Sequence, residues 1–552
     1  MAFPARAILL IHAMSFAAMW GASGRLVCCS LALAWCAVAS HGHADDVDEP
    51  LPGLKRVIVL SRHGNRAPNP QIEVVCPVFA REVLPMFGVA PAALSRVGMA
   101  ENWENGQFLR HRYRHFLPHG PYSYDGTFAF FSERAERNIV STAALARGMF
   151  PDGSGLEGFA KERPNIVPIA TTQDGADVLM NCPRDGPCQR ALSRDKKAWI
   201  SENEERIYAQ HSQLFRTVSA ACGFALEPGK ITYKGKSKPL TWAAKAVMDA
   251  FSFAQNEGLD PTMGGRLSLA TIEEFHAVVE GMVNGMNFGK PHQITYWAGD
   301  FIPTMLGLTR VPLQQPANKL HVFLNHRELI YVVAHILGVP IEFPGVAKDS
   351  LPSGCSLIVE VYDEGLRLFF WSPSQPSWKH KAKYLKKQKP MLELFRHGRL
   401  QPAIPAGCGL GKLCPVEALA LSFIEFVRIT GTYVKICNVS VEETYFAKGE
   451  ASLGIMEHWV EPTMFLKRGV NTTPRSAAAI GLTRDDATSL GISFAEKGAH
   501  TTIGASNDTP VLFALAAVAF SLLTGCIGFW FGKHAGQGQG PSVTTAPYVQ
   551  LS

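Results

Sequence analysis

The chain has 552 residues, room for three or four domains at roughly 150 residues each. Apolar residues make up 47% and charged residues 18%, a ratio that excludes wholesale disorder, collagen and coiled coil. Lysine and arginine number 53 against 47 acidic residues, a formal +6 too weak and dispersed for a dedicated nucleic-acid binder, so no nucleic-acid partner is expected. Basic residues concentrate only at Lys379–Lys389, which reads as a solvated helix face.

In chain order, residues 1–44 contain no acidic residue and carry two apolar stretches, Ala7–Trp20 and Leu26–Ala39. Arg25 precedes the second, and Ala37-Val38-Ala39 supplies an A-x-A cleavage spacing, so 1–44 reads as a secretory signal. The main body runs over 45–440. Val57-Ile58-Val59-Leu60 is a β-branched run expected to form a buried strand. Immediately after it comes Ser61-Arg62-His63-Gly64-Asn65-Arg66-Ala67-Pro68. In α/β sheets ligands sit beyond the carboxyl ends of strands, which is where His63 falls. Arg62 and Arg66 flank it, and their donor forks suit phosphate oxygens. Gly64 lets the backbone turn and approach closely. A neutral imidazole facing a clamped phosphoryl group is a plausible nucleophile; the competing reading is a basic surface loop.

Further along, Arg134–Phe150 follows helical spacing through Ile139, Ala143, Ala146 and Phe150, and Thr241–Gly285 is helix-rich. His321–Leu324 reads as a strand, and Leu329, Val332, Val333 and Ile336 mark one helix face behind it. His326-Arg327-Glu328 occupies the junction. A helix N-terminus there attracts phosphate, and a carboxylic acid beside it can protonate a leaving oxygen, unless Glu328 merely complements the dipole. Ser356–Val361 and Leu366–Trp371 alternate as a hairpin. Strands separated by helices make the body α/β. A second tripeptide, Arg396-His397-Gly398-Arg399, lacks the later arginine and the preceding strand, and reads as a decoy.

Residues 441–509 are rich in Ser, Thr, Ala and Gly and read as a stalk. Residues 510–532 include the charge-free stretch Val511–Gly532, long enough to span a bilayer, with Lys533 beyond it; the expected topology is single-pass type I with a cytoplasmic tail at 533–552. Eight of 12 cysteines lie in the body: Cys76, Cys182, Cys188, Cys222, Cys355, Cys408, Cys414 and Cys437. An even count in an exported domain points to four disulfides, whose pairing spacing alone cannot decide; metal ligation would need C-x2-C spacing, so no metal is expected. Asn438 and Asn471 head glycosylation sequons, as does Asn507 close to the span. In the tail, Tyr548 and Leu551 have the spacing of an endocytic signal read by sorting adaptors.

With R-H-G-x-R-x-P after an apolar strand, the chain resembles the histidine acid phosphatases. Leu94–Gly98, Gly106–Arg110, Asn181-Cys182-Pro183-Arg184, the strand around Cys355 and Cys408…Cys414-Pro415 extend the likeness over about residues 54–440. With signal, span and tail, the whole resembles type I membrane-bound acid phosphatases, including lysosomal and protozoan forms. The resemblance implies a mixed central sheet with flanking helices and a smaller helical cap after the first motif. It implies hydrolysis of phosphomonoesters at acid pH through phosphohistidine on His63, with Arg62, Arg66 and His326 binding phosphate, Glu328 as acid, and no cofactor. His326-x-Glu328 is similar to the branch that includes inositol-polyphosphate phosphatases, an alternative substrate class. The resemblance further implies the pairs Cys182–Cys437, Cys222–Cys355 and Cys408–Cys414, with Cys76–Cys188 remaining; a homodimer; and residence in endosomes, lysosomes and the surface membrane.

One departure stands out. Family members carry a third phosphate-binding arginine just before the helix that here contains Glu136-Arg137-Asn138. Gapless alignment puts Phe131 there, which leaves Arg134 as the candidate replacement, displaced by about 4.5 Å if the chain is helical or about 10 Å if extended. If Arg134 misses, the alternative is a phosphatase-like surface glycoprotein that binds phosphorylated ligands and turns them over poorly.

Overall fold

The computed structural model describes residues 51–151, 166–172, 175–310, 319–343, 350–387, 391–395 and 398–439. All of these fall in the first of two compact units, Met1–Phe494. The predicted signal, stalk, span and tail, with Asn471, Asn507, Tyr548 and Leu551, lie outside the described residues, as do Arg396 and His397. Among the described residues no helix is long and apolar enough to cross a membrane.

The β-branched run forms strand β1, Leu54–Arg62. Alternate side chains enter two layers: Ile58 and Leu60 pack with Phe323, Leu329 and Val333, while Val57 and Val59 pack with Leu109, Leu145 and Val322. That double burial is why a short run of Val, Ile and Leu suffices to specify a central strand. The remaining strands are β2 (Phe128–Ser132), β3 (Ala170–Thr171), β4 (Thr232–Tyr233), β5 (Lys236–Ser237), β6 (Leu320–Asn325), β7 (Ser356–Tyr362), β8 (Gly365–Ser372) and β9 (Arg399–Pro402). Seven of them form one mixed sheet in the order β3-β2-β6-β1-β7-β8-β9, and β4 pairs with β5 separately. β3, β2, β6 and β1 run parallel, whereas β7, β8 and β9 are antiparallel, so the predicted hairpin lies between the parallel strands and the edge strand β9.

Helices flank the sheet or build a core of their own: α1 (Arg96–Arg112), α2 (Glu136–Met149), α3 (Gln189–Gln210), α4 (Ser212–Cys222), α5 (Leu240–Glu257), α6 (Leu269–Phe288), α7 (Arg327–Ile336), α8 (Trp378–Lys386) and α9 (Val416–Thr430). A second apolar core, largely helical, gathers Ile72, Phe79, Phe215, Phe251 and Phe275 away from the sheet. Helix α2 forms where periodicity places it, but its buried face differs. Ala143 is exposed, while Asn138, Ser141, Thr142 and Leu145 are buried. The reason is backbone proximity: a Cβ on Gly106 would lie 2.0 Å from the Leu145 carbonyl oxygen, and one on Gly148 would lie 2.1 Å from that of Trp103. Helices α1 and α2 therefore meet on small and polar residues, a contact an apolar stripe does not mark.

The bridges correct the predicted pairing. Cys76 joins Cys222, Cys188 joins Cys437 and Cys408 joins Cys414, whereas Cys182 and Cys355 are buried thiols. Cys182–Cys437, Cys222–Cys355 and Cys76–Cys188 are thus not formed. Cys222 belongs to the helical core with Cys76, while Cys355 packs in the sheet core. Cys182 sits 3.4 Å from the Cys188 sulfur, so the neighbour one short turn away has taken its place opposite Cys437.

Candidate active site

Strand register brings the two histidines together. In the parallel pair β1–β6, Arg62 lies opposite Asn325, so the next residues, His63 and His326, emerge side by side at the carboxyl ends. The His63 amide donates to the Asn325 carbonyl at 2.9 Å, and the two rings stand 5.1 Å apart, nearly perpendicular. Behind His63, Gly64 presses on α1: a Cβ there would lie 2.2 Å from the Gly98 carbonyl oxygen. The Gly64 amide also donates to the Ser141 hydroxyl of α2 at 3.3 Å. No other residue type fits Gly64 without moving α1.

His63 Nδ1 lies 2.8 Å from the Gly64 carbonyl oxygen. A carbonyl only accepts, so Nδ1 carries the proton and Nε2 keeps its lone pair. Burial, then His326, Arg137, Arg62 and Arg66, hold the His63 pKa well below its usual value, which favours the neutral ring. Arg62 donates to the Leu351 carbonyl, and Arg66 to Asn69 at 2.8 Å while stacking 4.5 Å from the Phe253 ring centre. Burial lowers Arg66 to about 9, leaving it cationic at neutral and acid pH.

The third guanidinium beside the histidines is that of Arg137. Arg134 pairs with Asp185 at 3.4 Å, its side chain 42% exposed. Phe131 is core, stacked on Phe323. Arg137 stands on the first turn of α2, and its Nη2 lies 3.3 Å from His326 Nε2. Helical side chains lean toward the N-terminus, so a residue inside the helix reaches back over the strand end. The sequence reading sought the arginine ahead of the helix and passed over it. The signal available was the basic residue one turn inside the helix that follows β2. Arg62, Arg66 and Arg137 each bury an Nε with no hydrogen-bond partner among the described residues.

His326 is the N-cap of α7, and its Nε2 lies 3.3 Å from both Glu133 Oε2 and Asn138 Nδ2. Against desolvation, which pushes it up, the His326 hydrogen bond and charge hold Glu133 well below the carboxylate range. Glu133 emerges at the end of β2, its amide donating to the Leu324 carbonyl at 3.0 Å, and sequence reasoning gave no hint of it. Glu328, in the first turn of α7, accepts from Arg184 at 2.7 Å. Burial raises its pKa, but Arg184, Arg327 and His326 outweigh that and hold it well below the usual value. Arg184 stacks 4.9 Å from the Trp297 ring centre, and Lys196 and Lys245 act on the same carboxylate. Asn438 is exposed at the end of the last described helix, accessible to modification.

A buried imidazole among three guanidinium groups beside a helix N-terminus is an arrangement that can hold a phosphoryl group against a nucleophile. Residues 53–217 match the model of the histidine phosphatase superfamily (branch 2). It is 34% identical over 142 residues to human lysosomal acid phosphatase, and 32% identical over 148 residues to the Bos taurus protein. Each match covers 25% of this chain and 30% of the relative's length. Among solved structures, the fold is similar to Klebsiella sp. ASR1 phytase (TM-score 0.50, 18% identity, 72% of this chain, 99% of that one) and to Hafnia alvei phytase with tartrate (TM-score 0.50, 17% identity, 70% and 99%).

Proposed function

We propose that the chain is a membrane-bound acid phosphatase that hydrolyses phosphomonoesters through a phosphohistidine. The observation that carries this reading is His63, with Nδ1 tied to Gly64, Nε2 free and the ring neutral among Arg62, Arg66 and Arg137. Nε2 attacks phosphorus, the P–O ester bond breaks, and Glu328 delivers a proton to the leaving oxygen. Water then attacks the phosphohistidine, returns a proton to Glu328 and frees inorganic phosphate. The three guanidinium groups and the His326 ring stabilise charge on the equatorial oxygens. Glu328 is ionised in its pair with Arg184, so its acid role needs acidic pH and the negative charge of bound phosphate, both of which raise its proton affinity. The site would face the lumen of endosomes and lysosomes and the cell exterior, as the lysosomal relatives suggest.

A second reading, an inositol-polyphosphate phosphatase, is favoured by the cations beyond Glu328. Burial and the Arg184 charge pull Lys196 down to about 8, and it makes no ion pair among the described residues. Full-length protein assayed on a simple aryl phosphate and on inositol hexakisphosphate between about pH 4 and pH 8 separates the readings. Turnover of the aryl ester in acid supports the first, and preference for the hexakisphosphate the second. Phosphate binding without turnover of either would overturn both in favour of a binding glycoprotein.

A further inference from the structure

The lysine run at 379–389 departs from its reading as a solvated face at one residue. Lys379, Lys383 and Lys386 are exposed on α8, but Lys381 is 1% exposed. Its ammonium donates to the Asn256 carbonyl at 2.9 Å and lies 5.6 Å from the Phe395 ring centre. Gly258, with φ +80°, closes α5 beneath it, and a Cβ there would stand 2.7 Å from Lys381 Cβ. The helix is pressed against α5, and the lysine is driven inward with it.

A buried ammonium needs opposite charge. The carboxylates acting on Lys381 are Glu101 of α1 and Glu257 of α5, both buried. Each grips Asn65, the residue between His63 and Arg66. Glu101 accepts from the Asn65 amide at 2.8 Å and from the Ser353 hydroxyl at 3.0 Å, and Glu257 accepts from the Asn65 side chain at 2.8 Å. The Asn65 carbonyl in turn accepts from the Ser95 amide at 3.0 Å. Arg62 and the Cys355 thiol also face Glu101. Burial raises Glu101 and lifts Glu257 to about 6, while Lys381 pulls both back down.

We propose that Lys381 is a positioning residue for the catalytic loop: its charge lets Glu101 and Glu257 hold Asn65 together, and through Asn65 fixes His63 and Arg66. The proposal rests on the phosphatase reading of the His63 site. Removing the charge leaves two carboxylates in one buried pocket, a conflict that grows as pH rises and both ionise.

The test compares wild type, Lys381→Met and Lys381→Met/Glu257→Gln in turnover and in urea unfolding across pH. Misplacing the loop should lower kcat for Lys381→Met on the order of 10- to 100-fold, with KM changed less. The deficit should be deepest near neutral pH, shrink on acidification, and be largely relieved in the double variant, which removes the surplus carboxylate. Unfolding should show the same pattern, with Lys381→Met losing most stability at the higher pH and regaining it in the double variant. Wild-type kcat in Lys381→Met, or a deficit equal at every pH and unrelieved by Glu257→Gln, would overturn the proposal. Should wild type itself turn nothing over, the phosphatase reading fails separately, and the unfolding series alone decides whether Lys381 balances the pair.

Discussion

Arg62, Arg66 and Arg137 each bury an Nε that lacks a partner among the described residues, whereas Glu328 is already closed in an ion pair with Arg184 at 2.7 Å. On the proposed reading the first group would receive the phosphoryl oxygens through donors already held in place. The second must change protonation before it can work. On the proposed mechanism, the pH control of the site falls to Glu328 and Arg184, since the His63 pKa is held well below its usual value.

The largest effect expected on this comparison is at the nucleophile. His63→Ala should lower kcat on the order of 10⁴-fold or more, measured on an aryl phosphate, with the fold kept by circular dichroism. Next comes the third clamp. Arg137→Ala should cost on the order of 10²- to 10³-fold in kcat/KM, whereas Arg134→Ala, an exposed pair to Asp185, should change it less than about threefold. The reverse order of these two variants would break the assignment of Arg137.

Arg184→Ala tests the other side. Without its largest favourable partner, Glu328 binds its proton to higher pH, so the alkaline limb of kcat should move upward. The depressed pKa of Glu328 contributes stability that is present above its unfolded value and lost as pH falls through the folded one. The variant should therefore be less stable at neutral pH, by about 1 kcal/mol after screening at the one-third exposed Arg184, with the gap closing in strong acid. An unmoved alkaline limb would remove Glu328 from the acid role. The smallest effect expected is at the buried thiols. Cys355→Ser beside the Arg62 amide should cost little activity, and thiol mapping of the unfolded, unreduced protein should find Cys182 and Cys355 reactive, with Cys76, Cys188, Cys222, Cys408, Cys414 and Cys437 protected.

Much of this was legible in the residues. β1 and the loop after it were readable because a buried parallel strand needs a run of β-branched residues and its carboxyl end is where ligands bind. β6, α7 and the hairpin followed from the same patterns, and parallel register then brings His63 and His326 together. Other features depend on contacts that sequence spacing does not encode. Helix α2 packs through Gly106 and Gly148, so its true buried face carries Asn138, Ser141 and Thr142 and defeats an apolar periodicity. Arg137 was missed because helical side chains lean backward, so a residue one turn inside the helix reaches the histidines from a position the alignment did not consider. Glu133 becomes a neighbour of His326, and Arg184 of Glu328, only through the folding of the end of β2 and of the Cys182–Asp185 turn. Lys381 is hidden inside a run of exposed lysines, and only the closeness of Gly258 shows why one of them turns inward.

The most direct test of the central claim is to trap the intermediate. Full-length protein mixed with ³²P-labelled aryl phosphate and quenched in alkali within one turnover should retain label that is stable to base and labile to acid. Peptide mapping should place that label on the segment containing His63, and His63→Ala should retain none. Turnover with no trapped phosphate in wild type, or label mapping to any other residue, would contradict the phosphohistidine mechanism.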